Sequence, residues 1–193
     1  NAAIVLCDSP YSSLRADVVA ALSGRNHPHV VKLLESDVSA GWFVMEYFPL
    51  GSLEKHTDLF RGRALETLLA LRPFVEAVTT LHAEGITHRD IAPKNVFRAD
   101  YGLVLGDFGL VYPGAEGRPS GTYENVGSRD WMPPWAMGSR QDPSPAFDVF
   151  TLGKLLWAMV AGRHVLRLWY FRDSEFNLEA IFPGVAGMAE INA

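Results

Sequence analysis

The chain is short of several things at once, and each shortage excludes something. Of its 193 residues a single one is cysteine, Cys7. No internal disulfide framework can form, and a reducing compartment, the cytoplasm, is the expected location. No apolar run approaches the roughly 20 residues that a membrane-crossing helix needs. The longest, Leu155 to Gly162, follows Lys154 and reads as a buried helix. Positive charge is in deficit, with 17 Lys and Arg against 22 Asp and Glu and a net charge of −5, so no electrostatic footprint for nucleic acid or an anionic membrane is present. Internal repeats and low-complexity tracts are also missing, and no signal peptide is visible at the start. The chain does not begin with Met, and it is expected to be a fragment. What remains, 48% apolar and 20% charged, has the makeup of a globular protein with room for one domain or a two-lobed one.

The chemistry lies in His88-Arg89-Asp90-Ile91-Ala92-Pro93-Lys94-Asn95, followed by Asp107-Phe108-Gly109. Phosphoryl transfer from a nucleotide needs an acidic group to orient and deprotonate an acceptor hydroxyl, and oxygen ligands to hold Mg²⁺ on the phosphates. Asp90 suits the first task; Asn95 and Asp107 suit the second. Taken singly these are turn residues, since Asp and Asn bond readily to nearby backbone. Their order is more specific. An apolar helix ends at Leu81-His82-Ala83-Glu84-Gly85 just before the loop, and Val96-Phe97 opens an apolar run just after it. In this combination the pattern closely resembles the catalytic loop and the magnesium loop of the eukaryotic-type protein kinases.

That resemblance implies an α+β, protein kinase-like two-lobed fold. A truncated, β-rich small lobe spans residues 1–44, a hinge residues 45–51, and a mainly α-helical large lobe, incomplete at its C-terminus, residues 52–193. It implies ATP and Mg²⁺ as cofactors and a protein substrate, with no nucleic-acid partner. By resemblance, Asp90 orients the acceptor hydroxyl, Asn95 and Asp107 hold Mg²⁺, and the backbone of Glu46 and Phe48 bonds the adenine edge. Met45 is then the gatekeeper, Phe97 lies under the adenine, and Phe108 stacks with His88, Leu22 and Leu33. Serine/threonine kinases carry a Lys two positions after the catalytic Asp; here Ala92 stands there, and Lys94 supplies the charge in a manner similar to tyrosine kinases. Trp131-Met132-Pro133-Pro134 resembles the tyrosine-kinase substrate segment, whereas Gly127-Ser128 sits where serine/threonine kinases keep Gly-Thr. A serine or threonine acceptor is the expectation, with tyrosine left open. Arg89 is expected to face candidate phosphosites at Ser120, Thr122 and Tyr123, and Asp148 to bond the backbone of the catalytic loop.

Along the chain, Ala2 to Leu6 reads as a strand, and a helix capped by Ser12 or Ser13 ends at Gly24 ahead of the His27-Pro28 turn. Trp42 to Phe48 reads as a strand leading into the hinge. Leu65 to His82 shows helical spacing through Leu68, Leu69, Phe74, Val75, Val78 and Leu81, with Pro73 expected to bend the helix or mark its start. Departures from the family pattern are concentrated at its edges. Val18, with Asp17 beside it, takes the place of the helix Glu. The phosphate-holding Lys falls near Val5 or upstream of Asn1, and the glycine-rich loop is absent. Pro133-Pro134-Trp135 replaces Ala-Pro-Glu, so the usual ion pair cannot form and Trp135 is expected to anchor by burying an aromatic face. These departures keep a second reading open, a pseudokinase acting as a scaffold or regulatory binding domain. A small-molecule phosphotransferase of the aminoglycoside or choline type is a third. The fragment alone is expected to turn over poorly.

Overall fold

Two small sheets and two long helices organise the described residues, which in this computed structural model are 2–6, 22–37, 39–40, 42–108, 131–136, 144–163 and 173–192. Several sequence expectations lie outside them: Asp17 and Val18, Gly109, the candidate phosphosites Ser120, Thr122 and Tyr123, Gly127-Ser128, and the aromatic run at 166–170.

Strands β1 (Ala2–Leu6), β2 (Leu33–Asp37) and β3 (Trp42–Glu46) form an antiparallel sheet in the order β1-β3-β2. Branched and aromatic residues favour the pleated state here, and β3 sits in the centre, with Met45 opposite both Ala3 and Leu33. The turn from β2 to β3 is closed by Asp37, whose Oδ1 accepts the Ser39 hydroxyl at 2.6 Å and the Ala40 N–H at 2.9 Å. Those two bonds, the hydroxyl first, hold the Asp37 carboxyl below the usual carboxylate range.

Beyond β3 the chain turns at Gly51, a left-handed position (φ 72°) whose N–H bonds the Phe48 carbonyl at 2.9 Å. Glycine takes that conformation without a Cβ clash. The Gly51 carbonyl then accepts the Arg98 N–H at 2.9 Å, so the turn docks onto β4 (Val96–Ala99), which pairs with β5 (Gly102–Leu105) in a second antiparallel sheet.

Helix α1 spans Ala64–Ala83 and α2 spans Pro145–Ala161. The sequence places α1 within one residue at each end, but its inner face differs from expectation. Thr67, Leu71, Phe74, Ala77, Val78 and Leu81 are buried, while Leu68, Leu69 and Val75 are exposed. The helix has apolar residues on two sides. Small Ala77 and Thr67 permit close approach of a neighbour, and Thr67 satisfies its hydroxyl on the Arg63 carbonyl at 2.7 Å. Pro73 lies within the helix, so it does not mark the start. Helix α2 begins with Pro145 in its first turn, where no amide partner is lost, and ends on left-handed Gly162 (φ 66°).

Between the helices and β4–β5 sits the core, in which Phe74, Leu81, Ile91, Val96, Val104, Leu105 and Leu155 are fully enclosed. Short helices α3 (Leu178–Ile181) and α4 (Met188–Asn192) close one side, α3 being capped by the Asn177 side chain. Among the described residues no helix is long and apolar enough to cross a membrane.

Candidate active site

The loop from Ile86 to Asn95 is held from beneath by a single carboxylate. Asp148, in the first turn of α2 and fully buried, accepts the His88 N–H on Oδ2 and the Arg89 N–H on Oδ1, each at 2.8 Å. The His82 ring donates to the same Oδ2 at 2.8 Å. A buried carboxylate is tolerable only when its lone pairs are filled in this way. Sequence reasoning assigned Asp148 its backbone partners but gave His82 no role; the two lie 66 positions apart, and nothing local signals their meeting. Arg89 is left-handed (φ 70°), a strained state for a non-glycine residue that a dense bond network can hold at a functional loop.

Asp90 follows, buried, and its two oxygens have different surroundings. Oδ2 accepts an N–H of the Asn95 amide at 2.8 Å and pairs with the Lys94 ammonium at 2.9 Å. Oδ1 has no hydrogen-bond partner among the described residues, although it is buried. Asn95 sits at the end of a single 3₁₀ turn, Pro93–Asn95, and its amide also donates to the Asp90 carbonyl at 2.8 Å. With its nitrogen turned toward Asp90, the amide oxygen is the group left to face a ligand. Lys94, whose side chain is half-exposed, leans on Asp90.

Asp107 arrives from β5. The His27-Pro28 turn is stitched to that strand, because Leu105 donates to the His29 carbonyl at 2.9 Å and accepts from Val31 at 2.8 Å. The His29 ring N–H meets the Leu103 carbonyl at 2.7 Å. The next residue, Gly106, donates to the Asn95 carbonyl at 2.9 Å and accepts from the His88 ring at 3.0 Å. Asp107 itself is exposed and left-handed (φ 53°). Buried Phe108 meets the His88 ring edge-on, centroids 4.8 Å apart. Leu22 is buried and Leu33 half-buried.

The residues expected around adenine fall at the end of β3 and on β4. Phe48 and Phe97 stack, with centroids 5.5 Å apart and planes 15° from parallel. A Cβ at Gly106 would lie 2.3 Å from the Phe97 ring, so this position is sterically reserved for glycine. Met45 and Glu46 are half-buried, and the Glu46 amide donates to the Lys32 carbonyl at 3.0 Å. The Tyr101 phenol, in the β4–β5 turn, is pushed up first by burial and then by the negative charge of Glu46. Among the described residues no group of three His, Cys, Asp or Glu gathers to hold a metal. A set made of Asp107 and the Asn95 amide fits Mg²⁺, which takes one or two protein oxygens and completes its octahedron with phosphates and water.

A catalytic-type loop docked on a central helix, with a strand-delivered Asp beside it, defines an α+β domain of the kinase kind. The chain belongs to the protein kinase family: the protein kinase domain model matches residues 15–178. It is 30% identical over 159 residues to the serine/threonine-protein kinase STE20 of Saccharomyces cerevisiae, covering 79% of this chain and 16% of that protein. It is 30% identical over 148 residues to a putative CBL-interacting protein kinase 13 of Oryza sativa, covering 75% and 29%. Against the CBL-interacting serine/threonine-protein kinase 12 of Arabidopsis thaliana the identity is 28% over 150 residues, covering 75% and 30%. The chain therefore spans less than a third of the length of these relatives.

Proposed function

We propose that the protein carrying this chain transfers the γ-phosphate of ATP to a serine or threonine hydroxyl of a protein substrate. One observation carries the reading: the Asp90 carboxylate is clamped through Oδ2 by Asn95 and Lys94, while Oδ1 is buried and has no partner among the described residues. A carboxylate so held accepts a hydrogen bond, and then a proton, from an incoming hydroxyl at Oδ1. Lys94 steadies the charge on Asp90 and stands beside the place where the phosphate changes hands. Asn95 and Asp107 would hold Mg²⁺, which when bound neutralises charge on the nucleotide phosphates. The stacked Phe48 and Phe97 offer an apolar floor for adenine. The acceptor class is supported by the relatives, two of which are named serine/threonine kinases. A cytoplasmic location is part of the proposal, supported by the single cysteine.

The test is phosphate transfer from Mg²⁺-ATP by the full-length protein, with protein and small-molecule acceptors side by side. Asp90→Asn is expected to lower the transfer rate by about 10²–10⁴-fold, the usual share of a general base, while ATP affinity is retained. Loss of ATP binding together with transfer would sink the assignment of Asp90. Transfer confined to small molecules would replace the protein acceptor.

A specific observation supports the second reading, a scaffold that binds without transferring. Strand β1, Ala2-Ala3-Ile4-Val5-Leu6, contains no lysine, and Val18 stands where the family's helix Glu belongs. Measurable ATP or partner binding with no transfer to any acceptor decides for the scaffold.

A further inference from the structure

Lys154 is a buried charge that lies outside the catalytic loop. It lies in the middle of α2, 5% exposed, in the run Leu152-Gly153-Lys154-Leu155-Leu156. Lysine is almost never buried unless its ammonium is held, and a Leu or Met would fill the same space without desolvating a charge. Its ammonium lies 5.3 Å from the centre of the Trp131 ring and 5.9 Å from that of Phe150. Both distances are within cation–π range, and burial strengthens that attraction.

The geometry around it is a two-point attachment. Phe150 and Lys154 are four residues apart on α2 and share one face of the helix. Trp131 and Trp135 are likewise four residues apart, at either end of a segment stiffened by Pro133 and Pro134. Trp131 is buried against Lys154, and Trp135, half-exposed, meets Phe150 edge-on with centroids 5.3 Å apart. Trp135 sits inside the 3₁₀ turn Pro134–Ala136, which closes with an Ala136 N–H to Pro133 carbonyl bond of 3.0 Å.

We propose that Lys154, acting through Trp131 and Phe150, clamps the segment 131–136 onto α2 and so positions the protein acceptor, in place of the carboxylate–guanidinium pair that Pro134-Trp135 cannot make. The inference rests on the protein kinase reading, because that reading makes 131–134 the segment against which the acceptor lies. Lys154 is a positioning residue. Its ammonium fixes the segment, and a fixed segment presents the acceptor hydroxyl to Asp90 without a search.

The experiment compares Lys154→Met and Lys154→Arg in the full-length protein. Met keeps length and apolar bulk but removes the charge; Arg restores a cation that stacks on aromatic faces. The expected result for Met is a KM for the protein acceptor raised roughly tenfold, with the KM for ATP unchanged, and recovery of most of that loss in Arg. Hydrogen exchange at 131–136 is expected to quicken in Met and return toward the parent rate in Arg. Parent-like acceptor KM and exchange in Met would overturn the clamp. So would a uniform fall in every kinetic constant together with melting temperature, unrelieved by Arg, since that marks a packing residue. If the parent protein itself transfers no phosphate, the kinase reading fails, and the exchange pattern still decides whether Lys154 holds the segment.

Discussion

At the scale of single residues, the catalytic-type loop hangs on one buried carboxylate. Asp148 has three donors on its carboxylate, from His88, Arg89 and His82. Asp148→Asn puts an NH₂ where one oxygen accepted, so a donor faces a donor in a site closed to water. The expected loss is ~2–4 kcal/mol of stability in denaturant unfolding, with transfer falling further than ATP binding because the backbone of His88 and Arg89 is released. An unchanged midpoint would show that the network relaxes at little cost. Asp90 and Asn95 were legible in the sequence as a pair, since five positions on one tight loop keep them within reach. That Asn95 turns its nitrogen toward Asp90 was not legible, because an amide's orientation follows from its neighbours.

At the scale of elements, α1 carries both the clearest success and the clearest correction. Its span followed from periodicity; its buried face did not, because Leu68, Leu69 and Val75 supply a rival apolar stripe that remains exposed. The choice was made by the partners of Phe74, Val78 and Leu81 across the core. Pro73, inside this helix, removes one amide from the ladder and crowds the preceding turn. Pro73→Ala is therefore expected to stabilise the protein by ~1–3 kcal/mol, read as a rise in the denaturation midpoint. A fall would mean that the bend at Pro73 is needed for α1 to meet the core.

At the scale of the whole molecule, β5 joins the parts. Leu105 is fully buried, its backbone bonds His29 and Val31, and two residues later comes Asp107. Leu105→Ala opens a cavity at that junction, with an expected cost of ~2–5 kcal/mol. Because the same strand carries Asp107, Mg²⁺-dependent ATP affinity is expected to weaken in this variant while acceptor affinity changes less. Equal losses in both would point to global loosening instead.

The sequence by itself determined what depends on near neighbours: the catalytic-type loop, the strand at Ala2–Leu6, the strand that begins at Trp42, and the extent of α1. Those follow from hydrogen bonds and steric limits that act over a few residues. The tertiary structure alone decided the meeting of His82 with Asp148, the inner face of α1, and the burial of Lys154 between Trp131 and Phe150. Each depends on which surfaces exclude water together, and that is settled by packing among segments far apart in the chain.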